Sequence, residues 1–278
     1  MRKHSVSLLA AVVLTALAST AHADTLDDIK GKGSITCGVL TNSPPFGMQD
    51  PQTREPAGYE IDLCRKLAGD LGVKAEIKPV SPQTRIAELL QGRVDVLAAM
   101  ISYSKERAKQ VDFSGAYIAE NFYFVTLASS PIKKVDDLED KRVALVKGSV
   151  LEPLTKKRLP EARILSFETS AASFLAVQQG KVAATVFRNS EGKALEHNAG
   201  SDIKPLRQLD ESLLTMPSGF AMRKDDARLR DRINAFLAKI EANGEGQEVF
   251  DKWMGSKSYF KLTRDFKFGQ PQESWFEK

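Results

Sequence analysis

"QGKVAATVFRN", Gln179–Asn189, repeats a move made 88 residues earlier by "QGRVDVLAAMI", Gln91–Ile101. Each copy follows an apolar-periodic run, "AASFLAVQ" and "TRIAELL" respectively, meets a glycine, and continues as an apolar run of strand length. The pattern predicts helix, glycine cap and strand, made twice in one chain. Where two similar α/β lobes aim such strand ends at a shared crevice, the residues at those ends meet a ligand. At the second end stands Arg188, and its charge is a puzzle.

The same plan extends outward from both copies. Before the first come a short helix in "TLDDIKGKG" with Thr25 as candidate cap, the strand "SITCGVL", the turn-rich loop "TNSPPFGMQDPQTREPAG", the helix "YEIDLCRKLAGDLG" and the strand "VKAEIKPV". The loop reads as a ligand rim. Around the second lie the strand "KRVALV", a helix from Ser149, the strand "ARILSF" and a helix through "EGKALEHN". Alternating β and α units with short connections imply mostly parallel sheets. "AYIAENFYFVTLA" suits a crossing strand and "LLTMPSGFAMRK" a return crossing, while "DDARLRDRINAFLAKIEANGEGQEVFDKWMG" is helical, with Leu229, Ile233, Phe236, Leu237 and Ile240 on one core-facing stripe.

The N-terminus carries Arg2, Lys3 and His4, then "SLLAAVVLTALA", then "AHA" before Asp24, the pattern of a secretory signal cleaved after Ala23. No cysteine stands at the cleavage point, which argues against a lipid anchor. The expected mature chain of about 255 residues holds 38 basic against 36 acidic residues, a net charge near +2. Interspersed charges such as "RKDDARLRDR" read as solvated faces, and no nucleic-acid footprint follows. Two cysteines remain: Cys37 alternates with Ile35 and Val39, and Cys64 shares a stripe with Ile61, Leu67 and Leu71. Export permits a disulfide, and two buried core thiols are the alternative. With His197 the one histidine left, no usual zinc site is expected, and no metal or cofactor.

The chain has no GxSxG, GxxxxGK[ST], GxGxxG or HExxH pattern. Two helix starts seek anions instead. Ser149 would open a capping box with Glu152, presenting the N–H groups of Ser149 and Val150 to the crevice. Ser104 would cap a helix whose first turn carries Lys105 and Arg107, cations the helix dipole disfavours by a few tenths of a kcal/mol unless an anion compensates.

The segments "PPFGM…AGYEIDLCRKLAGDLG", "RIAELLQGRVDVLAAMISYSKERAKQVDFSGAY", "DLEDKRVALVKGSV" and "GEGQEVFDKWMG" resemble, in order and spacing, the polar amino-acid periplasmic binding proteins of ABC importers. The resemblance implies a two-lobed α/β fold, each lobe a mostly parallel sheet flanked by helices, joined by two crossing strands. Residues 24–118 with 216–278 would form one lobe and 119–215 the other. It implies that Arg107 forks onto the ligand's α-carboxylate, a surface ion pair with Asp112 being the alternative. Ala99 and Met100 would offer backbone groups, Ser102 its hydroxyl, and the Gly148–Ser149–Val150 turn its N–H groups to the same carboxylate. "PVSPQTRIAELLQGRVD" resembles the glutamate/aspartate-binding branch, implying that Arg85 meets a side-chain carboxylate, against an exposed first-turn arginine as alternative. Ser43 stands where relatives place a ligand contact.

Relatives end the second strand with an aspartate for the ligand's ammonium, and here Arg188 and Asn189 take that place. Two cations about 4 Å apart at an effective dielectric near 20 repel by about 4 kcal/mol. Either Arg188 swings out and Asn189 or a carbonyl takes the ammonium, or the ligand lacks an amine. The expected function is a monomeric, periplasmic solute-binding component that closes on a small anionic ligand, an amino acid of glutamate or aspartate type, and delivers it to an inner-membrane ABC permease without chemistry or membrane insertion. The alternatives are the same role for an amine-free dicarboxylate or oxo acid, a receptor-docking sensory role, and a cyclohexadienyl-type dehydratase, which would need an acid in the cleft.

Overall fold

The computed structural model describes residues 25–149 and 151–272, so the expected signal segment 1–23 lies outside the described residues. Helix α1 (Thr25–Lys32) and strand β1 (Ser34–Val39) come first. The rim loop folds into three short strands, β2 (Asn42–Ser43), β3 (Gly47–Gln49) and β4 (Pro56–Ala57). Next are α2 (Tyr59–Leu71), β5 (Lys74–Pro79), α3 (Arg85–Leu90), β6 (Val96–Ala98) and the one-turn α4 (Lys105–Ala108). The long strand β7 (Val111–Leu127) leads to β8 (Arg142–Val146), α5 (Leu151–Arg158), β9 (Arg163–Phe167), α6 (Ser170–Gln178), β10 (Ala184–Arg188) and α7 (Asn189–Ala199). Strand β11 (Leu206–Arg223) returns, followed by α8 (Ala227–Ala242) and α9 (Glu245–Trp253).

The repeated stretch folds the same way in both places. Gly92 (φ 69°) and Gly180 (φ 68°) adopt the left-handed conformation that costs glycine least. Behind them Arg93 N–H bonds Glu88 carbonyl and Gly92 N–H bonds Leu89 carbonyl, matched by Lys181 to Ala176 and Gly180 to Val177. Both helices thus end in the same two-bond Schellman closure, which turns the chain sharply into β6 and into β10.

β1 pairs in parallel with β5 and β6, and β8 pairs in parallel with β9 and β10. β7 and β11 run antiparallel to each other from Val111 against Arg223 to Leu127 against Leu206. The sheet order is β5-β1-β6-β11-β7-β10-β8-β9, one continuous eight-stranded sheet. The sequence predicts two parallel sheets joined by crossings. They merge because β7 and β11, 17 and 18 residues long, extend roughly 55 Å at about 3.3 Å per residue and so serve as members of both groups. Register shifts at Ser218/Gly219 and Gly219/Ala221 bend the pair between them.

Two separate cores flank this bend. One gathers Ile35, Leu67, Tyr117, Phe220, Phe236 and Phe250; the other gathers Phe124, Leu138, Leu145, Leu159, Val186 and Leu209. The predicted stripe of α8 is wholly buried, from Leu229 to Ile240. Cys37 and Cys64 are both fully buried and bonded to each other. The two readings left open by the sequence therefore coincide: a disulfide inside the core, joining β1 to α2.

Candidate ligand-binding site

The ends of β6 and β10 face one cleft of about 460 Å³, whose lining includes Ser43, Arg85, Met100, Arg188, Glu191 and Leu195. Ser43 reaches it from the small rim sheet and Arg85 from the first turn of α3. Arg85 is 7% exposed, so the solvent-exposed alternative does not hold. Its guanidinium donates to the carbonyls of Ala99 at 2.5 Å and Met100 at 3.4 Å, and its Nε has no hydrogen-bond partner among the described residues.

Met100 sits at φ 48°, in the left-handed region that costs a branched or bulky side chain of order 1 kcal/mol or more. Its N–H is not free for a ligand, because it donates to Glu60 Oε1 at 2.6 Å. Tyr117 donates its hydroxyl to the same oxygen, while the buried Glu60 Oε2 has no partner among the described residues. Burial pushes the Glu60 carboxyl up to about 7, against the opposing hydrogen bonds from Tyr117 and Met100 and the charge of Arg85, with Glu120 adding to the rise. Burial, and then the Arg107 cation, lower Arg85 below the usual arginine range. The two guanidiniums thus lie within each other's field, and the charge of Arg85 also acts on the buried Glu60 of α2, whose carboxyl accepts from Tyr117 of β7.

A testable consequence concerns pH. The Glu60 carboxyl titrates higher in the fold than its ordinary 4.5, so between about 4.5 and 7 the folded chain binds more protons than the unfolded one. Its contribution to stability is present at low pH and is lost as pH rises through 7, with a slope of at most about 1.4 kcal/mol per pH unit. Glu60→Gln keeps an acceptor for Met100 and Tyr117 and is expected to flatten that slope in urea titrations at pH 5, 6, 7 and 8. An unchanged pH profile would show that Glu60 is not the group responsible.

Arg107 is half-buried on α4, and burial lowers its pKa. Ser104 Oγ accepts from Arg107 N–H at 3.2 Å, the cap the sequence predicts. The guanidinium donates to Ser102 carbonyl at 2.8 Å. The Asp112 alternative fails: Asp112 pairs with Lys224 at 2.8 Å and lies 3.9 Å from Arg230. Ser102 is buried, with its hydroxyl 3.0 Å from that of Ser218 on β11. Ala99 is fully buried and offers its carbonyl to Arg85.

Ser149 does not form the expected capping box. Its Oγ is buried with no partner among the described residues, and the Glu152 carboxylate instead accepts from Ser166 Oγ at 2.6 Å. β9 lies beside the start of α5 and competes successfully for that carboxylate. Val150 lies outside the described residues. Asn189 begins α7 with its Oδ1 buried and unpartnered among the described residues; it is not among the residues lining the cleft and lines a smaller neighbouring pocket with Glu120, Asn121 and Leu262.

Arg188 stays on the cleft, and its charge is balanced. Its Nη1 lies 3.6 Å from Glu120 and its Nε 4.0 Å from Glu191, with the guanidinium 5.0 Å from the Phe122 ring centre. Glu120 is buried on crossing strand β7, where burial raises its pKa and Arg188 pulls it back. Sequence reasoning finds no acid at this strand end. Glu120 is hidden because it comes from another element, paired across β7 and β10 where Arg188 sits opposite Phe122. Glu191 had a readable signal: three residues after Arg188 on a helix, it shares the face of Arg188.

An interlobal cleft between the ends of repeated strands, lined by arginines and bridged by two crossing strands, defines a solute-binding protein architecture. The chain belongs to the bacterial extracellular solute-binding proteins, family 3, whose model matches residues 35–256. It is 31% identical over 262 residues to the glutamine-binding protein of a Bacillus subtilis ABC transporter, covering 90% of this chain and 94% of the relative. It is 26% identical to the glutamate/aspartate import solute-binding protein of Escherichia coli K12, covering 91% and 88%. Among solved structures it is similar to an ancestral amino-acid-binding protein described as a precursor of cyclohexadienyl dehydratase, with a TM-score of 0.65, 29% identity and coverage of 84% and 100%. The two-lobed fold is shared with that solved structure. Among the described residues no helix is long and apolar enough to cross a membrane, and no group of three or more His, Cys, Asp or Glu could hold a metal.

Proposed function

We propose that the protein is the periplasmic ligand-binding component of an amino-acid ABC importer and that its ligand is an acidic amino acid of the glutamate or aspartate type. The observation that carries this reading is a pair of arginines, Arg85 buried and Arg107 half-buried: neither has a carboxylate within ion-pair distance among the described residues, and Arg85, which lines the cleft as Arg107 does not, feels the charge of Arg107. A buried cation without a partner is costly, and an anionic ligand supplies the missing charge. In this reading Arg107 forks onto the α-carboxylate, Arg85 meets the side-chain carboxylate, and the Ser149–Val150 turn approaches from the other lobe. A ligand touching both lobes favours the closed state by differential contact.

Glu191 supports an amino acid over an amine-free acid. It brings a carboxylate to the cleft wall where the strand end carries Arg188, and Glu120 is already placed to balance that arginine. The ammonium then meets Glu191, with lobes divided as residues 24–118 plus 216–278 and 119–215, the chain working as an exported monomer before an inner-membrane permease. The experiment is a thermal-shift panel on ligand-stripped mature protein with glutamate, aspartate, glutamine, arginine, succinate, malate and 2-oxoglutarate. A ligand at 100 times its Kd adds about 2.7 kcal/mol. Stabilisation by glutamate or aspartate, weakened in Glu191→Gln, is the expected result. Stabilisation by the amine-free acids alone would overturn the ammonium site, and stabilisation by glutamine or arginine alone would overturn the acidic one.

The same Glu191 keeps one enzymatic reading open to test, because an acid in the cleft is what a dehydratase needs. We expect no turnover of prephenate, since in this reading Glu191 serves an ammonium group, which prephenate lacks. Phenylpyruvate formation would reverse that reading.

A further inference from the structure

Residues 257–272 follow the matched family segment and contain no α-helix or strand, but they are packed. Phe260, Phe266, Phe268 and Gln272 are buried. Gly269 N–H donates to Ala116 carbonyl at 2.8 Å, and Ala116 N–H donates to Gln270 carbonyl at 2.7 Å, so the segment pairs with crossing strand β7. Its last described residue, Gln272, is fully buried and uses both ends of its amide. Oε1 accepts from Tyr103 N–H at 2.9 Å, and Nε2 donates to Ser114 carbonyl at 3.0 Å.

Tyr103 is the pivot of the anion anchor. On one side is Ser102, whose carbonyl holds the Arg107 guanidinium; on the other is Ser104, whose hydroxyl caps the Arg107 N–H. Helix α4 has a single turn and no buried residue of its own, so packing contributes little to where Arg107 points. Its position is set by hydrogen bonds at its ends: Gln272 and Ser104 at the start, and Lys224 Nζ to Ala108 carbonyl at 2.9 Å at the finish. Misplacing a charge-assisted anchor by an ångström forfeits most of its geometry-dependent energy.

We propose that Gln272 is a positioning residue for the ligand's anion anchor, fixing the Tyr103 backbone so that Arg107 is aimed, and that the C-terminal segment is thereby a working part of the binding site. This rests on Arg107 being the anchor. The test compares the mature protein with Gln272→Leu and Gln272→Glu, using L-glutamate as calorimetric probe and amide hydrogen exchange as a readout that needs no ligand. Gln272→Leu is expected to weaken glutamate about tenfold and to speed exchange at Tyr103 and Arg107 about tenfold, while the core amides of α9 at Val249 and Phe250 stay protected. Gln272→Glu, held protonated by its fully buried site beside the Ser114 carbonyl, keeps an acceptor for Tyr103 and a donor for Ser114 and is expected to bind within threefold of the parent. In an Arg107→Lys background the leucine substitution should cost less than twofold, because the fork it aims is gone.

An equal loss in both backgrounds would mark Gln272 as merely structural and overturn the proposal, as would an unchanged Kd in Gln272→Leu. Should that variant fail to fold, Gln272→Asn, one methylene too short to reach both partners, takes its place with the same expectations. If the parent protein binds no glutamate, the acidic ligand reading fails by itself, and the same two-background comparison is made with whichever amino acid of the thermal-shift panel stabilises the parent, with the same expected and overturning results.

Discussion

Arg107→Met is expected to lower ligand affinity by about 100-fold or more while leaving the ligand-free protein as stable as the parent. Each charge-assisted hydrogen bond to a carboxylate contributes roughly 1.5–3 kcal/mol, and a fork supplies two, so a loss of about 3–4 kcal/mol corresponds to two to three decades in Kd. The unliganded chain has little to lose. Among the described residues Arg107 makes one side-chain hydrogen bond, to Ser102 carbonyl, on a helix turn with no fully buried residue, and its charge bears unfavourably on Arg85. Thermal melts with and without 10-fold to 1,000-fold ligand excess separate the two effects. The expected outcome is an unchanged ligand-free Tm and a vanished ligand shift. A ligand shift that survives the substitution would remove Arg107 from the site and leave Arg85 as the principal anion contact.

The fold was legible wherever the signal was local. Periodicity and glycine placed α3, β6, α6 and β10, because a Schellman closure needs only a helix, a glycine and the next two residues. Ser104 as a cap was readable for the same reason. Legibility failed where a contact joins elements far apart in sequence. Glu152 fits a capping box in every local respect, yet Ser166 on β9 claims it. Met100 reads as a donor to the ligand until Glu60, 40 residues earlier, takes its N–H. The acid facing Arg188 comes from β7, 68 residues before it in the chain, and Gln272 reaches Tyr103 from 169 residues away. No spacing rule reaches that far. The charge of Arg188 itself was visible as an anomaly, and acids from two elements, Glu120 and Glu191, converge on it.

Reduction of the Cys37–Cys64 disulfide is expected to destabilise the protein by about 3.5 kcal/mol, the chain-entropy value for the 27-residue separation between the two cysteines. The loop it closes is the whole ligand rim: β2, β3 and β4 lie between the bridged positions. In the unfolded chain this loop is constrained by the bridge alone, whereas in the folded chain β1 and α2 are also held together by Ile35, Val39, Ile61 and Leu67 in one cluster. The penalty of reduction therefore falls mostly on the unfolded state, and the folded cleft should change little. Urea denaturation with and without dithiothreitol should show a lower midpoint, shifted by about 1 M for an m-value of roughly 3 kcal/mol per M, while Kd measured below the transition stays within about twofold. Cys37→Ala with Cys64→Ala should cost more than reduction, because it also removes two buried sulfur atoms from a close-packed core. A Kd that rises tenfold on reduction would mean that the rim depends on the bridge for its folded geometry, and the disulfide would then belong to the binding site rather than to the stability of the chain that carries it.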